Sequence, residues 1–161
     1  MESHKSKNRI LTLFGSGETS PHMAKNYRHI IDGLDYSLRN NVLLDTPFGF
    51  QENNMILSEK IQDYFSSKIN LELKNLKFIN EESYDLESEA LLSRADFIFS
   101  GPGSPTYASK IWLKHNLGNV LKEKLKTGIV MAFASAAALT LGRYVIPVYE
   151  IYKVGNMDGL H

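Results

Sequence analysis

The chain is 161 residues long, 43% hydrophobic and 22% charged, the proportions of an ordinary globular protein with enough apolar residues for one core. Eighteen Lys and Arg balance eighteen Asp and Glu without a basic block, which argues against nucleic acid as a partner. Cysteine is absent, so disulfides, thiolate metal sites and a cysteine nucleophile are excluded.

Residues 1–8 read as a flexible polar tail without a signal peptide's apolar run. No apolar stretch reaches 18 residues, so a cytoplasmic protein with no membrane partner is expected. Residues 9–14 (RILTLF) predict a first strand, ending at Gly15-Ser16-Gly17-Glu18. Ser20 and Pro21 have the form of an N-cap and first helical position; residues 22–31 then carry Met23, Tyr27, Ile30 and Ile31 on one helical face until Gly33. Residues 41–46 (NVLLDT) predict a second strand closed by Pro47, and Phe48-Gly49-Phe50 a turn. Residues 51–68 have the spacing of an amphipathic helix, with Met55, Ile56, Ile61, Tyr64, Phe65 and Ile69 at helical spacing. A weaker strand at 74–79 and an acidic helix at 86–94 come next. Residues 96–100 (DFIFS) predict a buried strand that runs into Gly101-Pro102-Gly103-Ser104-Pro105, and residues 107–126 a helix broken near 116–118. Six of the seven residues at 129–135 (IVMAFAS) are apolar, which suits a strand covered on both faces; a helix follows through Leu141. The last segment, 146–154 (IPVYEIYKV), has strand character.

Strands alternate with helices, so the crossover rule predicts one α/β domain over residues 9–161. Its sheet is expected to be doubly wound and mostly parallel, with helices on both faces. Ligands of such sheets bind beyond the carboxyl ends of the strands. Five loops meet there: 15–18, 45–50, 81–84, 101–105 and 134–136.

A buried strand that turns abruptly into a helix through one serine outlines a nucleophile elbow, with the Ser135 hydroxyl beside the free amides that open the helix. An ordinary helix cap after a buried strand has the same outline, and Phe133 and Ala137 hold the two glycine positions of G-x-S-x-G. The Gly101–Ser104 turn can lie beside the elbow, where the amides of Gly103 and Ala136 would face an oxyanion; a plain strand-to-helix turn explains it equally well. Ser104 and Glu18 are candidates for binding substrate, Glu18 through an amine or else by positioning the active-site loops, although an acid near a helix N-terminus is also favoured by the helix dipole and is the plainer reading. His4 lies in the tail, His29 and His115 on helices, and His22 beside the 15–18 loop, where an exposed position is the plainer reading. No histidine pair has metal-ligand spacing, so neither metal nor cofactor is expected. The alternative function is a non-catalytic small-ligand or nucleotide-binding module: Gly15-Ser16-Gly17 follows the first strand and Asp45 ends the second, though the third glycine is missing and Glu18 would sit beside a pyrophosphate.

The phrases LFGSGE, LLDTPFGFQEN, FIFSGPGSPTYA, FASAAALTLGR and VIPVYEIYKVG, with an acid fifteen positions after the serine, resemble the cyanophycinase and peptidase E (aspartyl dipeptidase) family of serine peptidases. That family belongs to the class I glutamine amidotransferase-like superfamily, and the resemblance implies its flavodoxin-like fold. It also implies Ser135 as nucleophile, Ala136 and Gly103 as oxyanion donors, Glu150 as the triad acid, and a small-molecule or peptide substrate with an amide or ester carbonyl. The family's G-x-S-A-G stands here as Phe133-Ala134-Ser135-Ala136-Ala137. Its histidine falls beyond the last residue of this sequence, and His161 comes too early, so the resemblance implies a member truncated at its C-terminus and impaired as a hydrolase. A chain lacking its last elements would expose an apolar sheet edge, which makes a homodimer the remaining partner expected.

Overall fold

A computed structural model describes residues 8–147. Its centre is a five-stranded parallel sheet of order β1-β5-β4-β2-β3, built from β1 (Ile10–Phe14), β2 (Asn41–Leu43), β3 (Lys74–Asn75), β4 (Phe97–Ser100) and β5 (Val130–Ala134). Among the described residues six α-helices accompany them: α1 (Met23–Asp32), α2 (Asn54–Tyr64), α3 (Leu86–Arg94), α4 (Pro105–Lys114), α5 (Leu117–Thr127) and α6 (Ser135–Leu139). The α/β architecture is therefore the expected one.

The central strands β4 and β5 are buried residue by residue, because helices cover both of their faces. Alternation then sorts their side chains. Met131 and Phe133 point to a core shared with Ile111 and Trp112 of α4, whereas Val130, Ala132 and Ala134 join Ala24 and Tyr27 of α1 and Ile61 of α2 on the other side. Phe97 and Phe99 extend the second core, where Tyr27 packs its ring against Phe14, Phe65 and Phe99 at centroid separations of 5.2, 5.0 and 6.3 Å. Fully burying such a ring contributes about 2 kcal/mol, so this aromatic cluster helps hold the sheet in place beneath its loops.

Several expected elements are shorter than their apolar spacing suggests. β2 ends at Leu43 because Thr46–Phe48 winds into a 3₁₀ turn, and β3 keeps only two residues because Lys77 turns to φ 57° with its amide on Asn75 Oδ1 at 3.1 Å. Ser20 does not cap α1. Its amide bonds Gly17 O at 2.8 Å, its carbonyl receives the Met23 amide and the Tyr64 hydroxyl, and the helix opens after His22. The helix expected at 51–68 is α2 followed by a π-turn over Phe65–Ile69, which ends at Asn70 in the left-handed region. Met55 and Ile56, expected on its buried face, are 69% and 52% exposed. The break between α4 and α5 falls at His115-Asn116, with Asn116 at φ 55°. Of the strand expected at 146–154, only Ile146 and Pro147 are described, and they are not strand.

Candidate active site

β5 delivers its chain to the carboxyl edge of the sheet in extended geometry, Ala134 at φ −129° and ψ 153°. The next residue, Ser135, stands at φ 49° and begins α6. A β-carbon in that region crowds the following carbonyl, so a non-glycine residue is found there only when its surroundings impose it. Here the Ala137 amide is fastened to Gly101 O at 3.1 Å, and Ala136 and Ala137 are buried to 4% and 0% exposure. Larger residues would not fit those positions. The Ala136 amide, in the first turn of α6, has no intrahelical carbonyl to meet.

The Ser135 hydroxyl points toward the β1 loop. It lies 3.1 Å from Gly15 O and 3.3 and 3.5 Å from the two carboxylate oxygens of Glu18. Glu18 is only 7% exposed, and a β-carbon placed on Gly101 would stand 3.7 Å from its Oε1. Its carboxylate thus touches the elbow and lies near the glycine turn after β4. Beneath it, the Tyr27 phenol is buried and its ionisation is pushed well above the ordinary value, by burial first and by Tyr64 and Glu18 second. Of the roles open to Glu18, the described contacts place its carboxylate between two of the site loops, on a serine 117 residues away in sequence.

Gly103 adopts φ 134°, and a β-carbon there would fall 1.9 Å from Pro47 O. Only glycine lets the turn lie against the Pro47-Phe48 peptide. The next amide, that of Ser104, donates to the same Pro47 O at 2.8 Å. Ser104 is 2% exposed and caps α4, its Oγ accepting from the Tyr107 amide at 3.1 Å and lying 2.9 Å from the Thr106 hydroxyl. Gly49 in turn packs on the Ile79 backbone, and the Tyr107 hydroxyl donates to Ile79 O at 2.8 Å. Four of the five expected loops therefore form a connected row: 15–18, 134–136, 101–105 and 45–50. The fifth is anchored on α4, with Glu81 paired to Lys114 and its carbonyl 2.8 Å from His115 Nε2.

Glu150 and His161 lie outside the described residues. His22 and His29 are exposed on and beside α1, and His115 is half-buried against Phe78 and Tyr84, 5.2 and 5.3 Å between ring centroids. Among the described residues, the hydroxyl of Ser135 meets Gly15 and Glu18 and no histidine. No group of three His, Asp or Glu side chains among them converges as metal ligands, and no helix among them is long and apolar enough to cross a membrane. The Gly15–Glu18 loop reaches α1 only at Met23 and holds a buried carboxylate, an arrangement unlike the glycine turn that lays a pyrophosphate on a helix N-terminus.

Fold and site together describe a parallel α/β domain that presents a strained serine at the carboxyl end of β5. No family model matches the sequence, and no curated protein does. Among solved structures, the chain is similar to a peptidase from an acI-B1 Actinobacterium, with 22% identity and a TM-score of 0.71 over 86% of this chain. The match covers 60% of that peptidase, so this chain spans less than two thirds of its length. At such identity the likeness is one of fold.

Proposed function

We propose that the domain is a serine hydrolase of the peptidase or amidase type, related to the cyanophycinase and peptidase E family, with Ser135 as its nucleophile. The observation that carries this reading is the backbone of Ser135. A left-handed serine between a buried strand and a helix is costly unless something is gained by holding its hydroxyl there. The peptidase whose fold this chain shares adds support.

In this reading Ser135 Oγ attacks the carbonyl carbon of an amide or ester, and its proton passes toward the Glu18 carboxylate 3.3 Å away. The amides of Ala136 and Gly103 face the oxyanion, the leaving amine or alcohol takes up the proton, and water then hydrolyses the acyl-serine. Glu150 is the proposed acid for a histidine base. A carboxylate alone is a weaker partner than imidazole for this proton, which is why a histidine is proposed as the base. A fluorophosphonate probe tests the assignment, since it needs an activated serine but no particular substrate. Labelling that Ser135→Ala abolishes and Glu18→Gln slows is expected, both variants keeping the wild-type circular dichroism. Labelling that persists in Ser135→Ala, or none at high probe concentration, overturns it.

A further inference from the structure

Tyr27 carries a buried hydroxyl that the proposed reaction leaves unused. The residue is 1% exposed, and its ring lies among Phe14, Phe65 and Phe99, with Tyr64 edge-on at 6.5 Å between centroids. Its neighbours in that cluster are mostly phenylalanines, and the Tyr27 hydroxyl has no hydrogen-bond partner among the described residues. A buried hydroxyl left unpaired is destabilising, and phenylalanine would fill the same space. Its presence points to a partner met at another stage.

The loop above Tyr27 holds one. Phe14, which packs on Tyr27, leads into the Gly15–Glu18 loop. Tyr64, which packs on it from α2, donates its hydroxyl to Ser20 O at 2.7 Å, just past the end of that loop. Tyr27 is thus bracketed by the two ends of the segment that carries Glu18, and the Glu18 charge acts on its phenol. Glu18 is itself 7% exposed, and the hydroxyl it meets is that of Ser135.

We propose that Tyr27 is a positioning residue for Glu18: when Ser135 gives its oxygen to a substrate carbonyl, the Glu18 carboxyl moves onto the Tyr27 hydroxyl, which keeps it beside the acylated serine. This inference rests on Ser135 being the nucleophile. Once Oγ is bonded to the acyl carbon it has no proton to donate, and the buried Glu18 carboxyl loses the partner it has in the free protein. A phenol serves either protonation state of that carboxyl, donating to the anion and accepting from the acid. Tyr27 itself neither gains nor loses a proton, because burial first, then Tyr64 and Glu18, hold its ionisation far above the ordinary range.

The test uses the full chain labelled with ¹³C at tyrosine Cζ, a resonance that moves when the phenol enters a hydrogen bond. Tyr27→Phe assigns the signal. Ser135→Ala removes the serine hydroxyl without any reaction, so the Tyr27 signal is expected to move in that variant. It should return when Glu18→Met is added, since methionine keeps the length and lacks the carboxyl. Tyr27→Phe should unfold in urea no earlier than wild type, and its Ser135 should react with the fluorophosphonate about three- to tenfold more slowly. A Tyr27 signal unmoved by Ser135→Ala, a movement that survives Glu18→Met, or labelling at the wild-type rate in a folded Tyr27→Phe would overturn the proposal. The spectra need no reaction at Ser135. Wild-type protein that fails to label would therefore remove the nucleophile, while a Tyr27 signal that follows Glu18 would still show the two side chains paired.

Discussion

At Ser135 the backbone and the hydroxyl impose separate costs, and two substitutions tell them apart. Ser135→Ala and Ser135→Gly both remove the hydroxyl that meets Gly15 O and Glu18, but only glycine is at ease at φ 49°. Glycine should therefore be the more stable of the pair by about 1 kcal/mol in urea unfolding, the reverse of their order inside an unstrained helix. An alanine variant as stable as the glycine one would mean that the turn costs nothing. Asp45 makes a second prediction at this scale. Its native pKa is raised to about 6 from 3.8, with burial the largest cause and the Phe78 amide, the Asn75 side chain and Lys77 opposing it. The folded protein then holds this proton more tightly than the unfolded chain does. Stability from this group is present below about pH 4 and is lost as pH rises to about 6, by roughly 3 kcal/mol in all. Asp45→Asn should remove that slope between pH 4 and 6 and raise stability at pH 7. An unaltered slope in the variant would assign the titration to other groups.

At the scale of elements, the row of loops at the carboxyl edge depends on close backbone approaches. The tightest is Gly103 against Pro47. Gly103→Ala places a methyl within 1.9 Å of a carbonyl oxygen at a φ that side chains avoid, so the turn after β4 and the 3₁₀ turn after β2 must part. A loss of roughly 3 kcal/mol is expected, together with loss of the Ser104 amide bond to Pro47 O, visible as faster hydrogen exchange at Ser104. A variant of wild-type stability would show that the loops are not locked together. The same elements show what was legible in the sequence. β4 and β5 could be read from FIFS and VMAFA because burial on both faces leaves an unbroken apolar run, and the change from strand to helix at Ser135 because small residues follow at once. β3 was over-read: residues 74–79 alternate as a strand does, but an Asn75 side chain folding onto the Lys77 amide is a local turn that apolar periodicity ignores. The apolar face of α2 was misplaced for a related reason. Met55 and Ile56 repeat at helical spacing, yet the first turn overhangs a cleft instead of the sheet. The bridge from Glu18 to Ser135 joins loops more than a hundred residues apart, and no local pattern encodes it.

For the molecule as a whole, the asymmetric edges of the sheet matter most. β1 pairs only with β5 among the described residues, and its side chains divide sharply by face. Ile10 and Phe14 pack into the core beneath α1, while Leu11 and Leu13 are 44% and 55% exposed on the opposite face, beside Met131 and Phe133 in register. Leu139, Leu141 and Ile146 are also partly exposed. An edge strand whose outer backbone groups meet no partner among the described residues, with two leucines on its open face, is a site for another chain or segment to cover. We propose that copies of this chain pair there. Sedimentation equilibrium should find a concentration-dependent dimer. Leu13→Lys should shift it to monomer while changing the unfolding free energy of the dilute protein by less than about 0.5 kcal/mol, because that side chain leaves no core contact behind. A chain that stays monomeric at all concentrations would remove the pairing. A Leu13→Lys variant that unfolds more easily when dilute would mean that Leu13 is covered within its own chain.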